Sequence, residues 1–345
     1  MTNLKIAGIA VQGERFGIGH ASRSRYLLGS SKELGWKTSQ FDITEIIDDQ
    51  KQVENIISEL RVFDCIIIDV DPRFAKENCD ILNQVFVALQ QSKCTLVLID
   101  SRIDFPIMQT FPGIQFNLVI CPYGSSGVVI HGNRITGFGA SVFELSLREL
   151  RSQIRYPIRT PWNILITCGG SDPFNITTLY LRSLNRLSSK YLNVKIVIGS
   201  HFPQIHLSVL ENEARKSHHQ IQFLNSPESL TQCYIDVDVA LVTGGLTRNE
   251  ILFLGIPSVV TDLNIDQEVS TKLFELGRGL LRAGTYHQDS EDELIASMSM
   301  KTLNLLNSQS LRNEIAISAR LLMPDGGGEI VLREIERICN KKNQP

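Results

Sequence analysis

The sequence predicts an α/β protein made of two Rossmann-like domains, each built on a parallel sheet. Three observations lead to this fold class. Short apolar runs of strand length alternate with amphipathic stretches of helix length along the chain, as in βαβ units. Glycine-rich loops follow an apolar run in both halves. A polar stretch at residues 151–161, which contains Pro157 and Pro161, separates the halves.

The predicted strands are short and mostly apolar, as buried parallel strands are. In the first half they are Lys5–Val11, Lys37–Asp42, Cys65–Val70, Thr95–Asp100, Leu118–Cys121 and Ser126–His131. In the second half they are Trp162–Thr167, Val194–Ile198, Ile221–Leu224, Val237–Val242, Ser258–Thr261 and Gly279–Leu281. The predicted helices are Arg23–Leu34, Gln52–Leu60, Ala75–Gln91, Ile176–Tyr191, Gln204–Lys216, Ser226–Cys233, Arg248–Phe253, Gln267–Leu276 and Ser290–Leu306.

The predicted domains divide at the polar stretch. We place the N-terminal domain at residues 1–155 and the C-terminal domain at 160–325. Three consecutive glycines, Gly326 to Gly328, break the chain before a last predicted helix, Glu329–Cys339. Residues 326–345 are therefore expected to form a C-terminal helix that crosses back toward the N-terminal domain.

Composition excludes several classes of protein. The chain of 345 residues has a net charge of −3 and no run of Lys or Arg, so we expect no nucleic-acid partner. It holds no apolar stretch long enough for a membrane span, and its first residues are typical of a strand rather than a signal peptide. The seven scattered cysteines are typical of reduced thiols. These features predict a cytoplasmic protein, monomeric or weakly homo-oligomeric.

The first glycine loop carries the candidate catalytic residue. Gly17 and Gly19 precede His20, between a predicted strand and a predicted helix. Ligands of open α/β sheets bind beyond the carboxyl ends of the strands, so His20 is a candidate general base, and a helix cap is the alternative. A helix N-terminus disfavours the imidazolium, so we expect His20 to be neutral. Gly19 and Arg23 are candidate substrate contacts, although Arg23 can equally form a surface ion pair.

Two further glycine loops lie in the second half. Backbone N–H groups in such loops, and at the N-terminus of a following helix, bind phosphate. We therefore expect a nucleotide diphosphate, held in a cleft between the two domains; tight turns without a ligand are the alternative. The candidate nucleotide-binding residues are Gly169, Gly170, Ser171, Gly244, Gly245, Leu246 and Thr247.

Polar residues near the third loop complete the candidate site. Glu250 lies one turn into a predicted helix, where it can accept hydrogen bonds from ribose hydroxyls or remain a solvated carboxylate. Asn249, Asp266 and Gln267 are candidate sugar contacts, and capping of the next helix is the alternative for the last two. Asp71 is a further candidate substrate contact.

No metal or other cofactor is predicted. The histidines lack metal-ligand spacing, and we interpret Asp69 and Asp71 as the end of a strand rather than a metal motif. The patterns of a Walker A loop and of an α/β-hydrolase nucleophile elbow are missing. Ser22 stands where a dinucleotide-binding loop would have its third glycine.

The ordered motifs resemble a known superfamily. They are Gly17-Ile18-Gly19-His20, Gly169-Gly170-Ser171-Asp172-Pro173, Gly244-Gly245-Leu246-Thr247 with Glu250, and Asp266-Gln267. In this order they resemble the GT-B superfamily, with two facing Rossmann-like domains. The chain is most similar to the UDP-sugar hydrolases of pseudaminic-acid biosynthesis, relatives of the glycosyltransferase that forms lipid II. The resemblance spans nearly the whole chain, including Gly137-Phe138-Gly139-Ala140 and the glycines that follow Asp325.

The resemblance implies a function. The hydrolases cleave UDP-2,4-diacetamido-2,4,6-trideoxy-β-L-altropyranose at the anomeric carbon, a step in bacterial nonulosonic-acid and surface polysaccharide biosynthesis. By this resemblance His20 is the general base that activates water, the two later glycine loops hold the diphosphate, Glu250 contacts ribose and Gln267 contacts the sugar. Two alternatives remain open: an inverting GT-B glycosyltransferase with a UDP-sugar donor, and a non-catalytic nucleotide-sugar-binding protein.

The chain departs from the family pattern near the presumed sugar pocket. The family commonly has a tyrosine two or three residues after the aspartate that ends strand three, whereas this chain has Asp71, Pro72 and Arg73 there. Phe143 also stands where a tyrosine is usual. We therefore expect poor turnover of the diacetamido sugar and a preference for another sugar, for which the cationic Arg73 favours an acidic group.

Overall fold

A computed structural model describes residues 3–13, 19–44, 50–100, 106–124, 127–154 and 162–342. The chain divides into two compact units, Met1–Leu145 with Pro324–Pro345, and Ser146–Met323. Of the residues named in the predictions above, Gly17, Ile18, Ser126, Pro157 and Pro161 lie outside the described residues.

The first unit is an α/β unit around one sheet. Its strands are β1 (Lys5–Ala10), β2 (Lys37–Asp42), β3 (Cys65–Asp69), β4 (Thr95–Ile99), β5 (Leu118–Cys121), β6 (Val129–His131) and β7 (Arg134–Thr136). In the described part of this unit they form one sheet in the order β2-β1-β3-β4-β5-β7-β6. The pairs are parallel except β6 with β7, which is an antiparallel hairpin at the sheet edge.

Helices cover both faces of this sheet. They are α1 (Gly19–Glu33), α2 (Gln50–Leu60), α3 (Pro72–Glu77) and α4 (Cys79–Gln91). Side chains of β1 alternate between the faces: Ile9 packs with α2 and α4, whereas Ile6 packs with Leu27 of α1. Because both faces are covered, β3 and β4 are buried along their whole length.

The second unit has the same kind of architecture. Its strands are β8 (Trp162–Thr167), β9 (Leu192–Ile198), β10 (Gln220–Asn225), β11 (Val239–Thr243), β12 (Ser258–Asp262) and β13 (Leu281–Thr285). Over residues 162–342 they form one parallel sheet in the order β10-β9-β8-β11-β12-β13. Its helices are α5 (Leu145–Gln153), α6 (Ile176–Asn185), α7 (Gln204–Arg215), α8 (Thr231–Tyr234), α9 (Leu246–Leu254), α10 (Ile265–Leu276), α11 (Glu291–Asn307) and α12 (Gln309–Leu322).

The division between the units falls earlier in the chain than the predicted boundary near residue 155. Helix α5 belongs to the second unit from Ser146 onward. The guanidinium of Arg151 explains this, because it donates to the carbonyl oxygens of Phe253, Met323 and Arg320. Those three residues all lie in the second unit.

The C-terminal helix α13 (Gly327–Lys342) belongs to the first unit. Its apolar residues Val331, Leu332 and Ile335 share a core with Leu27 of α1. Gly327 is required at its start, because a Cβ there would lie 2.1 Å from the carbonyl oxygen of Gly139. No helix in the described part of the chain is long and apolar enough to cross a membrane.

Candidate active site

The first unit brings His20 to the carboxyl edge of its sheet. His20 is the second residue of α1, and β1 pairs in parallel with β3, with Ala10 opposite Asp69. Gly8 allows α1 to lie close to the sheet, since a Cβ at Gly8 would come within 2.3 Å of Ser24 Oγ. The first turn of α1 therefore meets the end of β3.

Asp69 is the anchor of this site. Its side chain is fully buried, and its Oδ1 lies 2.7 Å from His20 Nδ1. Arg23, one turn after His20, donates from Nε to Oδ2 at 2.7 Å and from a terminal nitrogen to Oδ1 at 2.6 Å. A bidentate guanidinium stabilises a buried carboxylate that would otherwise be costly to desolvate. Arg23 thus supports the position of His20 through Asp69.

A second carboxylate faces the other ring nitrogen. Asp71 Oδ2 lies 3.8 Å from His20 Nε2, which is beyond hydrogen-bond distance. Asp71 is the N-cap of α3, where Oδ1 accepts from the backbone N–H of Arg73 at 2.8 Å. The Arg73 side chain donates from Nε to Oδ1 and from a terminal nitrogen to Oδ2, both at 2.9 Å.

The pairing of Arg73 with Asp71 removes one argument about the sugar. Arg73 was expected to favour an acidic sugar because it adds a cation near the pocket. Its guanidinium instead forms an ion pair with Asp71, so the two charges compensate each other. The expected preference for an acidic group therefore loses its physical basis.

The carboxylates shift the titration of His20. Burial lowers the pKa of His20, but Asp69 and Asp71 raise it more, so that it lies above the usual value of 6.5. Burial raises the pKa of Asp69, yet Arg23 and His20 bring it below its usual value. The expectation of a neutral His20 considered only the helix N-terminus, whereas the two carboxylates act on the pKa of His20 in the opposite direction.

The second glycine loop lies in the second unit, and a carboxylate occupies the helix start behind it. Asp172 is buried and accepts from the backbone N–H groups of Ile176 and Thr177, both at 2.9 Å. These first amides of α6 are thus already bonded. Gly169 has a φ of +86°, and Gly170 packs against Gly199, where a Cβ would lie 2.3 Å from the Gly170 carbonyl oxygen.

The third glycine loop leads directly into α9. Gly244 is required by close packing, because a Cβ there would lie 2.6 Å from Asp262 Oδ1 and 2.8 Å from Gln267 Cβ. Gly245, which has no capping side chain, is the N-cap of α9, and Leu246 and Thr247 form its first turn. The start of α9 is therefore not capped by its own N-cap residue.

The remaining sequence-predicted contacts are engaged within the second unit. Glu250 is 3% exposed and accepts a hydrogen bond from the Tyr234 hydroxyl, so it is not the solvated carboxylate of the alternative. Asn249 Oδ1 accepts from Arg248 Nε at 3.1 Å. Gln267 Oε1 accepts from the backbone N–H of Leu263 at 2.8 Å.

Asp266 lies in the first turn of α10 and is partly exposed. Asn264 caps this helix by accepting from the Gln267 backbone N–H at 3.0 Å. The capping role considered for this segment thus falls to Asn264.

Sequence reasoning missed the importance of two strand-end aspartates. Asp69 was interpreted only as the end of a strand. Asp262, the last residue of β12, is also fully buried, and its Oδ2 accepts from Arg282 Nε at 2.7 Å. Its Oδ1 accepts from Thr271 Oγ1 at 2.5 Å. An acidic residue that ends an otherwise apolar strand was the available signal in both cases.

Comparisons with known proteins place the fold. No protein-family model matches the chain. Residues of the chain are 35% identical over 99 residues to the uncharacterized protein MJ1062 of Methanocaldococcus jannaschii, covering 28% of this chain and 20% of that protein. They are 27% identical over 169 residues to the spore coat polysaccharide biosynthesis protein SpsG of Bacillus subtilis, covering 49% and 48%. The matches thus span about a fifth and about half of these relatives.

Solved structures match over nearly the whole chain. MurG of Acinetobacter baumannii has a TM-score of 0.66 at 14% identity, covering 97% of this chain and 99% of that one. The UDP complex of MnaA from S. aureus has a TM-score of 0.66 at 10% identity, covering 98% and 97%. HepE of Anabaena with UDP-glucose has a TM-score of 0.59 at 12% identity, covering 98% and 99%.

These similarities establish the fold class. The predicted α/β class with two parallel-sheet domains is confirmed, and the fold is GT-B-like. Within the described residues, no group of three or more His, Cys, Asp or Glu side chains is placed to hold a metal ion. That the protein needs no metal stays a prediction.

Proposed function

We propose that this protein hydrolyses a UDP-sugar at its anomeric carbon with inversion, using His20 as the general base. The observation that carries the proposal is the 2.7 Å contact between His20 Nδ1 and the buried carboxylate of Asp69. This contact fixes one ring nitrogen as the donor and leaves Nε2 to accept a proton. A histidine oriented in this way by a buried carboxylate is suited to general-base catalysis.

The proposed reaction is a single displacement. Nε2 of neutral His20 accepts a proton from water while the water oxygen forms a bond to C1 of the sugar. The bond between C1 and the diphosphate oxygen breaks, and its electron pair leaves with UDP. Asp69 stabilises the resulting imidazolium, and Arg23 keeps Asp69 ionised. Attack opposite the leaving group inverts the anomeric centre.

The nucleotide half of the proposal rests on the second unit. The start of α9, with Gly245 at its N-cap, offers backbone N–H groups to a phosphate. We assign Gly169, Gly170 and Ser171 a similar role, although Asp172 already occupies the first amides of α6. Two of the structures with the same fold were solved with UDP or UDP-glucose, which supports UDP as the nucleotide.

The proposed pathway follows from a sequence relative and from the motif resemblance. SpsG is named for spore coat polysaccharide biosynthesis, which supports a role in making a surface polysaccharide. The motif resemblance narrows this to nonulosonic-acid biosynthesis. Two departures from the family pattern still predict poor turnover of the diacetamido-altrose substrate. The tyrosine expected near Asp71 is missing, and phenylalanine replaces the usual tyrosine at position 143.

The test is a panel of UDP-sugars with and without added acceptors, with UDP release as the readout. A hydrolase releases UDP without an acceptor, and NMR shows the inverted anomer as the first-formed sugar. Release of UDP only when an acceptor is added would replace the hydrolase by a glycosyltransferase. Tight UDP-sugar binding without release under any condition would leave a binding protein.

A further inference from the structure

The His20 ring lies between two carboxylates at unequal distances. Asp69 Oδ1 is in hydrogen-bond contact with Nδ1 at 2.7 Å, whereas Asp71 Oδ2 is 3.8 Å from Nε2. The longer separation excludes a direct hydrogen bond. It still allows one oxygen atom placed beside the pair to lie within hydrogen-bond distance of both Nε2 and Oδ2.

Both atoms of this pair are acceptors when His20 is neutral. The Nδ1–H group donates a hydrogen bond to Asp69, so Nε2 carries the lone pair. Asp71 Oδ2 accepts one hydrogen bond from Arg73, and a carboxylate oxygen has room for a second. Among the described residues, the charged groups in contact with the ring are Asp69, Asp71 and Arg23, and Arg73 pairs with Asp71. Asp69 and Arg23 contact the ring at Nδ1, whereas Nε2 faces Asp71.

We propose that His20 Nε2 and Asp71 Oδ2 together hold the nucleophile and select water over an alcohol. This inference rests on the hydrolase proposed above. Water has two hydrogens and can donate one to each acceptor, which leaves its lone pair directed at C1. An alcohol has a single hydrogen, so when it donates to Nε2 the second acceptor position of Asp71 Oδ2, beside the one that Arg73 fills, receives no hydrogen bond. Desolvating that acceptor position without a hydrogen bond is costly, so the pair discriminates against sugar hydroxyls.

The proton balance follows from this arrangement. The water hydrogen on Nε2 moves to His20 as the C1–O bond forms and the bond to the diphosphate breaks. The second hydrogen stays on the new sugar hydroxyl, which continues to donate a hydrogen bond to Asp71. Asp71 thus touches the nucleophile without taking its proton, and its charge also favours the imidazolium that forms.

The test is Asp71→Asn, because Asn caps a helix start as well as Asp does and its amide can donate to an alcohol oxygen. The UDP-sugar with the fastest UDP release is incubated with methanol, and the ratio of methyl glycoside to free sugar is measured. In the wild type, free sugar should dominate. In Asp71→Asn the ratio should rise at least about tenfold, since a site built to bind a particular hydrogen-bonding group discriminates strongly against others.

A pH profile gives an independent readout. Because Asp71 raises the pKa of His20, the acid limb of the rate profile should move to lower pH in Asp71→Asn. Asp80→Asn is the matched control, because it makes the same change at an exposed position in the first turn of α4. Asp71→Ser also retains a capping side chain and replaces Asp71→Asn if the latter does not fold.

The outcomes separate the two proposals. A slower variant with an unchanged product ratio and an unchanged acid limb would give Asp71 only a structural role and overturn this inference. UDP release by the wild type without an acceptor would in that case leave the hydrolase intact. Absence of UDP release by the wild type from every UDP-sugar would overturn the hydrolase and this inference together.

Discussion

The two units place the same pair of residue types at a strand end but use it differently. In the first unit Asp69 ends β3 and binds Arg23; in the second, Asp262 ends β12 and binds Arg282. The first pair carries a histidine whose side chain is 13% exposed. In the second pair, Asp262 also accepts a hydrogen bond from Thr271 Oγ1 and lies close to Gly244 of the third glycine loop. A buried Asp–Arg pair can thus position either a reactive side chain or a segment of backbone.

Substitution of His20 in the first unit is expected to reduce turnover more than any other change considered. His20→Ala should reduce turnover by about 10²- to 10⁴-fold, the usual contribution of a positioned general base. UDP affinity should change little, because the proposed nucleotide contacts belong to the second unit. Steady-state kinetics and UDP calorimetry check both statements. His131→Ala, at an exposed histidine of β6, is the control, and near-normal turnover of His20→Ala would remove His20 from the mechanism.

Substitution of Asp69 removes the carboxylate that His20 and Arg23 contact. Asp69→Asn should lower the free energy of unfolding by about 3 kcal/mol at pH 7, since it leaves Arg23 unpaired in a partly buried site. The pKa of Asp69 in the folded protein lies below 3.8, so this stabilisation is present above that pH and is lost as pH falls. The difference in unfolding free energy between wild type and variant should therefore shrink between about pH 5 and about pH 2.5, a range in which the wild-type His20 is already protonated. Denaturant unfolding at these two pH values measures it, and equal differences would contradict the assignment.

The raised pKa of His20 predicts the shape of the rate profile. The neutral imidazole is the base, so kcat/KM, which reports the ionisation of the free enzyme, should increase with pH through a value above 6.5. The ion pairs of protonated His20 also contribute to stability below about pH 6.5, and this contribution is lost as pH rises through the raised pKa. A kcat/KM profile with its acid limb below 6.5 would contradict the role of the two carboxylates.

The second unit is tested by two neighbouring glycines. Gly244→Ala should lower the free energy of unfolding by about 1–3 kcal/mol, because the new Cβ would strike Asp262 and Gln267. Gly245→Ala should not, since a Cβ there meets nothing within 4 Å and its φ of −88° suits alanine. If Gly245 lies against a phosphate, Gly245→Ala should nevertheless weaken UDP binding. Equal thermal stability of the two variants would contradict the packing argument.

The smallest effect is expected at Glu250. Glu250→Gln retains an acceptor for the Tyr234 hydroxyl, so folding should be preserved. The loss of the carboxylate should weaken UDP binding by about 1 kcal/mol, roughly fivefold, if it accepts from the ribose hydroxyls. Calorimetry with UDP and with uracil separates a ribose contact from a base contact. Unchanged affinity for both ligands would assign Glu250 to the fold alone.

Much of the fold could be predicted from the sequence because buried parallel strands are continuous apolar runs. β3, β4 and β11 are buried along their length and their positions were predicted within one or two residues. Elements whose apolar pattern is weak were missed. The short hairpin strand β7 and the helices α5 and α12 were not predicted. The position of α5 depends on tertiary contacts such as those of Arg151.

Candidate site residues in glycine-rich loops could be predicted from the sequence. Those whose role depends on tertiary contacts could not. His20 stands out beside Gly19, but its relation to Asp69 depends on the register of β1 and β3. Gly244 was interpreted as a phosphate contact, and the structure adds a second reason for glycine at that position, its close approach to Gln267. The titration of His20 could not be predicted, because the two carboxylates that control its pKa lie about fifty residues away in sequence.

In the proposed mechanism, His20 activates water for attack at the anomeric carbon of a UDP-sugar. The most direct measurement is hydrolysis in ¹⁸O-labelled water, followed by mass spectrometry of both products. Attack at C1 places the label on the free sugar and leaves UDP unlabelled, and His20→Ala should lose this labelled product. Label in the phosphate of UDP, or labelled sugar formed at an undiminished rate by His20→Ala, would contradict the account.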